Sequence, residues 1–239
     1  MLLSIVSLCA ILVAVVQVLL MGVIGYPLAR RQPDGMEKFH RSGFVWWVIA
    51  LALVTVVGLW AHPQWFTLMA PSSHSWSLLR FMVPSVIALA ILVAVELISE
   101  KIIRRTATDE QLRKYEDAYE GQLPAWIATR RSRLLIVLAL VALLEEIVFR
   151  AIGLGGLLGI WDLPKPLAAG ICAVAFGLSH WYGGWRHVTI KIFTGAVLVW
   201  VTLSAGWVSA ALVHVALNII LTLVSRNSQN STKNALAAQ

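Results

Sequence analysis

Charged side chains are scarce in this sequence, and their scarcity excludes an ordinary soluble domain. Asp, Glu, Lys and Arg make up 13% of the 239 residues, whereas 59% of the residues are hydrophobic. The mean hydropathy is +0.80. Soluble domains carry about 25% charged residues. The composition therefore predicts an all-α polytopic membrane helix bundle, organised as one compact membrane domain.

Cysteine is scarce as well, and two familiar zinc signatures are missing. Cys9 and Cys172 each lie in an apolar stretch, so we expect neither a disulfide framework nor a Cys-rich zinc site. The sequence also lacks His-Glu-x-x-His. The net charge is +7, but the basic residues lie between apolar stretches. Lipid headgroups explain them more simply than nucleic acid does, so we expect no nucleic-acid partner.

The apolar stretches predict about seven transmembrane helices, at roughly 2–25, 43–60, 78–99, from 134 onward, 167–181, 188–204 and 207–225. The first is expected to be retained, because the features of a cleaved signal peptide are not evident. Glu96 is expected to lie at the membrane interface. The hydrophilic segment 100–133 contains Thr108-x-x-Gln111, which resembles a capping box, and predicts an amphipathic helix on the cytosolic face of the membrane.

The basic residues predict the orientation. They concentrate in the loops 27–42, 100–133 and 182–187 and in the tail. These are alternate loops of the seven-helix arrangement, which places them and the C-terminus in the cytosol and the N-terminus outside. The chain then divides into residues 1–133, a catalytic core at 134–225, and a tail at 226–239 that is expected to be disordered.

One apolar stretch, which begins at Leu134, contains two carboxylates and a guanidinium. An ionisable side chain at the bilayer centre costs roughly 2.5–3.5 kcal/mol, so this motif requires a reason. Glu146 and Arg150 are four residues apart, in the favourable order for a helical ion pair, and Glu145 points about 100° away. We expect Arg150 to neutralise one acid while the other stays available for chemistry. A glycine cluster follows and predicts close helix approach or a broken helix end: Gly153, Gly155, Gly156 and Gly159.

Three further polar side chains fall within the late apolar stretches. His180 ends the sequence Phe176-x-x-x-His180, and His214 and Asn218 are four residues apart, which places them on one helix face. With a rise of about 1.5 Å per residue, these residues and Glu145 can occupy one layer of the membrane. A polar cluster that only bridges helices is the structural alternative.

Such a set of side chains suits the hydrolysis of an acyl bond by water. A carboxylate in a low-dielectric cavity is an effective general base, and imidazole or amide N–H groups can stabilise a developing oxyanion. Glu and His side chains can equally bind zinc, which would activate a bound water. Ser179 adjoins His180, but neighbours on a helix diverge by about 100°, so we do not expect a serine nucleophile.

Three motifs in chain order resemble the signatures of the CAAX protease and bacteriocin-processing (CPBP, or Abi) intramembrane proteases: Glu145-Glu146-x-x-x-Arg150, Phe176-x-x-x-His180 and His214-x-x-x-Asn218. The resemblance covers about residues 134–224. Each motif alone is weak, whereas three in order within predicted helices are specific. The resemblance implies a helical intramembrane endopeptidase.

The resemblance also implies roles for individual residues. Glu145 would activate water together with His180, and His214 and Asn218 would hold the oxyanion. In the metalloprotease description of the family, Glu145, His180 and His214 would instead bind a metal ion, with zinc as the expected ion. The remaining motif positions would support these groups: Glu146, Arg150 and Phe176.

The resemblance implies a membrane-attached protein or peptide as the substrate, in contact with the lipid bilayer. The short chain is more similar to prokaryotic members, so we expect a prokaryotic cytoplasmic membrane and substrates that are not prenylated. Two other functions stay open: a non-catalytic membrane scaffold or bacteriocin self-immunity protein, and a small transporter. The transporter is disfavoured because the sequence shows no internal repeat. Nothing in the sequence indicates the oligomeric state.

Overall fold

The fold is helical throughout the part of the chain that the structure describes. This computed structural model describes residues 2–17, 24–29, 31, 35–61, 78–108, 130–181 and 184–237. Every regular element within these ranges is a helix, which confirms the predicted all-α class. In chain order the elements are α1 (Leu2–Gln17), α2 (Tyr26–Ala29), α3 (Gly35–Ala61), α4 (Leu78–Thr106), α5 (Arg131–Glu146), a π-helix (Ile147–Leu154), α6 (Gly155–Gly159), α7 (Lys165–Leu178), α8 (Gly184–Ala205) and α9 (Trp207–Ala237).

Four helices are long and apolar enough to cross a membrane: Ser42–Ala61, Leu78–Thr106, Gly184–Ala205 and Trp207–Val224. Two shorter apolar helices accompany them, at Ser4–Val13 and Lys165–Leu178. The predicted number of seven is therefore not confirmed in the described ranges. A perpendicular span needs about 20 residues, whereas α1 has 16 residues and α7 has 14. The helix with the acidic motif is divided by the π-helix into shorter segments.

Two helices extend beyond the apolar stretches that predicted them. α3 begins at Gly35, inside the predicted loop 27–42, and α4 continues to Thr106, inside the hydrophilic segment. The predicted surface helix lies largely within residues 109–129, outside the described residues. Lys, Arg and Glu are good helix formers. A helix can therefore continue past the point where its sequence stops being apolar.

The last helix also differs from expectation. α9 continues to Ala237, over the segment that was expected to form a disordered tail. The sequence 225–237 contains neither glycine nor proline, so it has no strong helix breaker. The preceding junction is marked clearly: Gly206, with φ of 89°, separates α8 from α9. This left-handed conformation suits glycine, because a side chain there would be strained.

The π-helix carries the second half of the acidic motif through the centre of the protein. Its residues from Val148 to Leu154 are all buried. The chain stays helical through Gly153, Gly155 and Gly156, and the helix ends at Gly159. A π-helix contains an extra residue per turn and often occurs at functional sites. Here it sets the angular position of Arg150 relative to the two acids that precede it.

The glycine cluster also permits close helix approach, which was the other prediction. A Cβ atom at Gly153 would contact the side chain of Ile11 on α1, and one at Gly156 would overlap Ser7. Helix α1 therefore packs directly against the backbone of the π-helix and α6. Ser7 also accepts a hydrogen bond from Trp161 Nε1 at 2.9 Å. Small residues thus bring the first helix against the motif-bearing helix.

Two apolar clusters flank the motif-bearing helix. The first joins α1, α3, the π-helix and α7, and includes Leu51, Phe149, Ile152 and Phe176. The second joins α4, α8 and α9, and includes Leu92, Leu198, Val213 and Leu217. Phe176 of the first cluster contacts both His214 of α9, at a ring-centroid distance of 5.6 Å, and the guanidinium of Arg150, at 4.4 Å.

Candidate active site

Polar side chains from several helices meet around the end of α5. Glu145 and Glu146 are the last two residues of α5, and Arg150 lies in the π-helix. His214 comes from α9, and Trp47 from α3. All five side chains are buried. Membrane interiors make such burial costly unless the polar groups have partners. Each of the five has a polar partner within this cluster.

The predicted ion pair between Glu146 and Arg150 is present. Arg150 Nε lies 3.1 Å from Glu146 Oε2, and both side chains have zero exposure. The two atoms are close enough for an ion pair but are not aligned for a hydrogen bond. The four-residue spacing allows this contact although Arg150 lies in the π-helix. Glu146 is therefore the acid that Arg150 neutralises.

Arg150 has further partners that explain how a guanidinium is tolerated in this interior. Its Cζ lies 4.4 Å from the centroid of the Phe176 ring, in a cation–π contact. Its Nη2 donates a hydrogen bond of 3.4 Å to the carbonyl oxygen of Gly195 on α8. The absence of a side chain at Gly195 lets α8 lie close to α7, because a Cβ atom there would press on Ala173 and Phe176. The guanidinium thus ties α7 and α8 to the π-helix.

His214 lies between the two acids. Its Nδ1 is 2.8 Å from Glu146 Oε1, and its Nε2 is 3.8 Å from Glu145 Oε2. Because an ionised carboxylate can only accept, Nδ1–H donates to Glu146. The ring orientation is thereby fixed, and Nε2 is the nitrogen that faces Glu145. Glu146 therefore has two partners, Arg150 through Oε2 and His214 through Oε1.

Glu145 has a different environment from its neighbour. Its Oε1 accepts a hydrogen bond of 3.1 Å from Trp47 Nε1, and its Oε2 faces His214. The side chain is 4% exposed, so it does not face lipid. Its hydrogen-bond donor is a neutral indole, whereas Glu146 is paired with the Arg150 guanidinium. This arrangement agrees with the expectation that one acid is neutralised and the other is not.

His180 approaches the cluster from the end of α7. Its Nδ1 lies 2.9 Å from the carbonyl oxygen of Phe176, and since a carbonyl only accepts, Nδ1–H donates. The Phe176 ring lies between the two imidazoles, with centroid distances of 4.8 Å to His180 and 5.6 Å to His214. Phe176 therefore contacts both histidines as well as Arg150.

Asn218 follows His214 by one turn of α9, and its side chain is half-buried. Thr222 Oγ1 donates to its backbone carbonyl at 2.7 Å. In the described ranges, no contact joins the Asn218 amide to the acids or the histidines. The structure therefore places Asn218 on the predicted face but does not bring its amide into the cluster.

Ser179 lies closer to His180 than the sequence indicated. Its Oγ is 3.0 Å from His180 Nδ1, so the expectation that the two side chains diverge is wrong. Both residues follow the last residue of α7, where the 100° helical relation no longer applies. Ser179 Oγ nevertheless donates to the Phe176 carbonyl at 2.7 Å. Nδ1–H donates to the same carbonyl, so it cannot also take the serine proton.

Sequence reasoning missed two buried residues next to this cluster. Trp47 is separated from Glu145 by 98 residues, and no spacing rule links them. His187, with 4% exposure, lies with its ring centroid 5.9 Å from that of His180. It was assigned to a loop, whereas α8 begins at Gly184 and includes it. The signal for His187 was its place directly before the apolar stretch 188–204.

The structure gives Glu96 a partner that the sequence did not indicate. Glu96 forms an ion pair with Lys191 of α8. The two side chains are 13% and 14% exposed. The contact with Lys191 explains how the charged side chain of Glu96 is accommodated at a position with little exposure.

The residues that would bind a metal do not form a ligand set in this arrangement. Among the described residues, no three His, Cys, Asp or Glu side chains are grouped so that they could hold a metal ion. The His214 Nδ1 atom is engaged by Glu146, and the His180 Nδ1 atom by the Phe176 carbonyl. The suggested triad of Glu145, His180 and His214 therefore does not fit a zinc ion without rearrangement.

Comparison with known proteins supports the family resemblance. The family described as Type II CAAX prenyl endopeptidase Rce1-like has a model that matches residues 126–220. This range contains all three motifs and begins before α5. No curated protein and no solved structure matches the chain. With its apolar helices, the chain is an integral membrane protein. The resemblance to the CPBP (Abi) intramembrane proteases is confirmed, and residues 126–220 form the Rce1-like region of this protein.

Proposed function

We propose that this protein is an intramembrane endopeptidase that hydrolyses a peptide bond of a membrane-attached protein or peptide. One observation carries the proposal. Glu145 is buried inside the Rce1-like region, has no cation as its hydrogen-bond partner, and lies 3.8 Å from the imidazole of His214. A purely structural acid at this depth would need a cation of its own, as Glu146 has. The family match supports the same reaction class.

The proposed reaction uses Glu145 as a general base. A water molecule bound near Oε2 gives a proton to the carboxylate while its oxygen attacks the carbonyl carbon of the scissile bond. His180 assists by accepting a hydrogen bond from this water through Nε2. Glu145 then transfers the proton to the leaving nitrogen, the C–N bond breaks, and a carboxylic acid and an amine are released. No atom of the enzyme forms a covalent intermediate.

We propose that His214 stabilises the oxyanion that forms on the substrate. Its Nε2 faces Glu145, and in this role Nε2 would carry the proton that is donated to the oxyanion. Asn218 would join it through its amide when substrate binds. Glu146 and Arg150 would keep His214 oriented. Phe176 would space the two imidazoles.

Metal dependence is a separate question, and no step above is routed through a metal. A zinc ion, if bound, would supply Lewis-acid activation of the water. Its ligands would be Glu145, His180 and His214, which must first leave their present partners. Dialysis against a chelator, followed by metal analysis and a cleavage assay, tests this point. Retention of full activity by metal-free protein is the result that the glutamate mechanism requires.

We further propose the membrane topology. The shorter helix α1, the divided helix from Arg131 to Gly159, and α7 would complete seven crossings together with the four long helices. Tilt and local thinning of the bilayer accommodate short apolar segments. The basic loops would then face the cytosol of a prokaryotic cell, with the N-terminus outside. Cysteine labelling from each side of sealed vesicles measures this directly.

The deciding experiment measures cleavage of a lipid-anchored peptide library by purified protein in liposomes. Wild type is compared with Glu145→Gln, which keeps the shape of the side chain and removes the base. We expect a loss of roughly 10²–10⁴-fold, the usual contribution of a general base. The matched control is Glu100→Gln, at an exposed acid that pairs with Arg104. A parallel comparison of prenylated and acylated anchors tests whether prenyl recognition is used.

The outcomes separate the alternatives. Ser179→Ala should retain cleavage, since its hydroxyl is bound to a carbonyl and lacks a base. Loss of cleavage in Ser179→Ala with retention in Glu145→Gln would replace the water mechanism with a serine mechanism. If wild type binds members of the library but cuts none, the protein is a non-catalytic binder such as a scaffold or an immunity protein.

A further inference from the structure

The helix α3 lies outside the Rce1-like region but contributes a side chain to the proposed base. Trp47 Nε1 donates a hydrogen bond of 3.1 Å to Glu145 Oε1. The indole is 8% exposed and the carboxylate 4%, so the bond is shielded from lipid and water. A neutral–anionic hydrogen bond in such surroundings is stronger than in water.

The chemistry of the indole restricts what Trp47 can do. The indole N–H only donates, so Trp47 can orient a carboxylate but cannot accept a proton from it or from water. The other carboxylate oxygen, Oε2, faces His214 at 3.8 Å. Holding Oε1 therefore fixes the rotation of the carboxyl group and determines which oxygen is presented toward the histidine side.

The indole itself is held in place by aromatic packing. Its ring lies 6.3 Å from that of Phe149, at an interplanar angle of 34°. Phe149 in turn packs edge-on against Phe176, at 5.7 Å. Phe176 contacts both His180 and His214. A continuous aromatic row thus links the donor of the Glu145 hydrogen bond to the two imidazoles.

From this geometry we propose that Trp47 is the positioning residue of Glu145: its N–H holds one carboxylate oxygen so that the other is aimed at the reacting water. This inference rests on the proposed function and adds to it a contribution from the N-terminal helices. It also implies that the Rce1-like region alone is not a complete active site. A protein that retains residues 126–220 without α3 would lack the group that orients its base.

The kinetic test replaces the indole with a ring that lacks the donor. We expect Trp47→Phe to lower kcat by about 10–100-fold, because the variant lacks a hydrogen bond that orients the charged base for the chemical step. KM should change little, because Trp47 contacts Glu145 and not the substrate. Trp47→His, which can offer an N–H from a similar position, should recover part of kcat. The matched control is Trp46→Phe, because Trp46 is adjacent in sequence and 63% exposed. This substitution should leave both kcat and KM unchanged.

A second measurement tests the hydrogen bond without any cleavage assay. In a spectrum of ¹⁵N-labelled indole groups, Trp47→Phe identifies the resonance of Trp47. Glu145→Gln should then move that resonance and leave the one from Trp46 in place. Movement supports the bond, and an unmoved resonance overturns the inference. Trp47→Phe with wild-type kcat overturns it as well, provided thermal melting shows a folded protein.

These two measurements keep the inference distinct from the proposed function. If the indole resonance responds to Glu145→Gln while wild type cleaves no substrate, the proposed function fails and the bond stands as structural. If wild type cleaves and Glu145→Gln does not, while Trp47→Phe keeps wild-type kcat, the proposed function stands and the positioning role fails.

Discussion

Two buried ion pairs in this protein are built in opposite ways. Glu146 and Arg150 belong to consecutive helical segments, four residues apart in sequence, and neither side chain is exposed. Glu96 and Lys191 belong to two different helices and are 13% and 14% exposed. The first pair was predicted from spacing alone, whereas the second joins residues 95 positions apart. Sequence spacing reveals ion pairs within a helix and is silent about those between helices.

The surroundings of the two pairs differ more than their geometry. Glu146 also accepts from His214, and Arg150 also contacts the Phe176 ring and the Gly195 carbonyl. The first pair therefore connects five helical segments around the proposed base: α5, the π-helix, α7, α8 and α9. A pair embedded in a network leaves several groups without partners when one member is removed. We expect the two pairs to differ in stability accordingly.

Removal of the embedded guanidinium should have the largest effect. Arg150→Ala leaves Glu146 buried without its cation, and such a loss typically costs about 3–5 kcal/mol. We expect a sharp fall in the melting temperature or in the yield of folded protein in detergent. The control is Arg105→Ala, at an exposed position on α4. Glu146→Gln combined with Arg150→Met should recover part of the loss, because it removes both charges.

An Arg150→Ala protein as stable as wild type would contradict this assignment. It would mean that Glu146 is stabilised by His214 alone. The double variant distinguishes charge from packing: no recovery would show that the Arg150 side chain acts through its contact with Phe176 and not through its charge.

The spacing of α7 and α8 should matter next, because α8 supplies a partner to both ion pairs. A Cβ atom at Gly177 would approach Ile192 and the backbone oxygen of Val188. Gly177→Ala should therefore push the two helices apart, at a cost of about 1–3 kcal/mol. Thermal melting of the purified protein measures this loss.

Gly170 provides the matched comparison on the same helix. A Cβ atom there would meet nothing within 4 Å. Gly170→Ala should therefore be neutral or stabilising, by up to about 1 kcal/mol, because alanine favours the helix. Equal effects of the two substitutions would show that the contact between α7 and α8 is looser than described.

The local parts of this architecture could be predicted from sequence, and the nonlocal parts could not. Apolar length and helical spacing predicted the helical class, the Glu146–Arg150 pair and the placement of His214 and Asn218 on one face. The contact of Trp47 with Glu145 depends on the packing of α3 against α5, which no periodicity encodes. The burial of Glu96 depends likewise on a lysine in a distant span.

One local expectation was wrong and another is not confirmed, for identifiable reasons. Ser179 and His180 were treated as helical neighbours, but the helix ends at Leu178 and the turn brings them together. The number of full-length spans was taken from apolar runs, but the π-helix divides one run, and α1 and α7 are short. Helix ends and π-helices arise from packing and backbone geometry, and composition does not report them.

The smallest effect is expected at the ion pair between helices. Lys191→Met keeps most of the apolar stem and removes a charge that is partly exposed, so Glu96 can regain water or take up a proton. We expect a loss of about 1 kcal/mol, well below that of Arg150→Ala, because partial exposure lowers both the attraction and the cost of separation. Glu96→Gln combined with Lys191→Met completes a double-mutant cycle that isolates the coupling between the two side chains. A coupling free energy equal to that of Glu146 with Arg150 would contradict this expectation. Burial within a network would then not distinguish the two pairs, and the Glu96–Lys191 contact would contribute as much to the stability of this fold as the motif does.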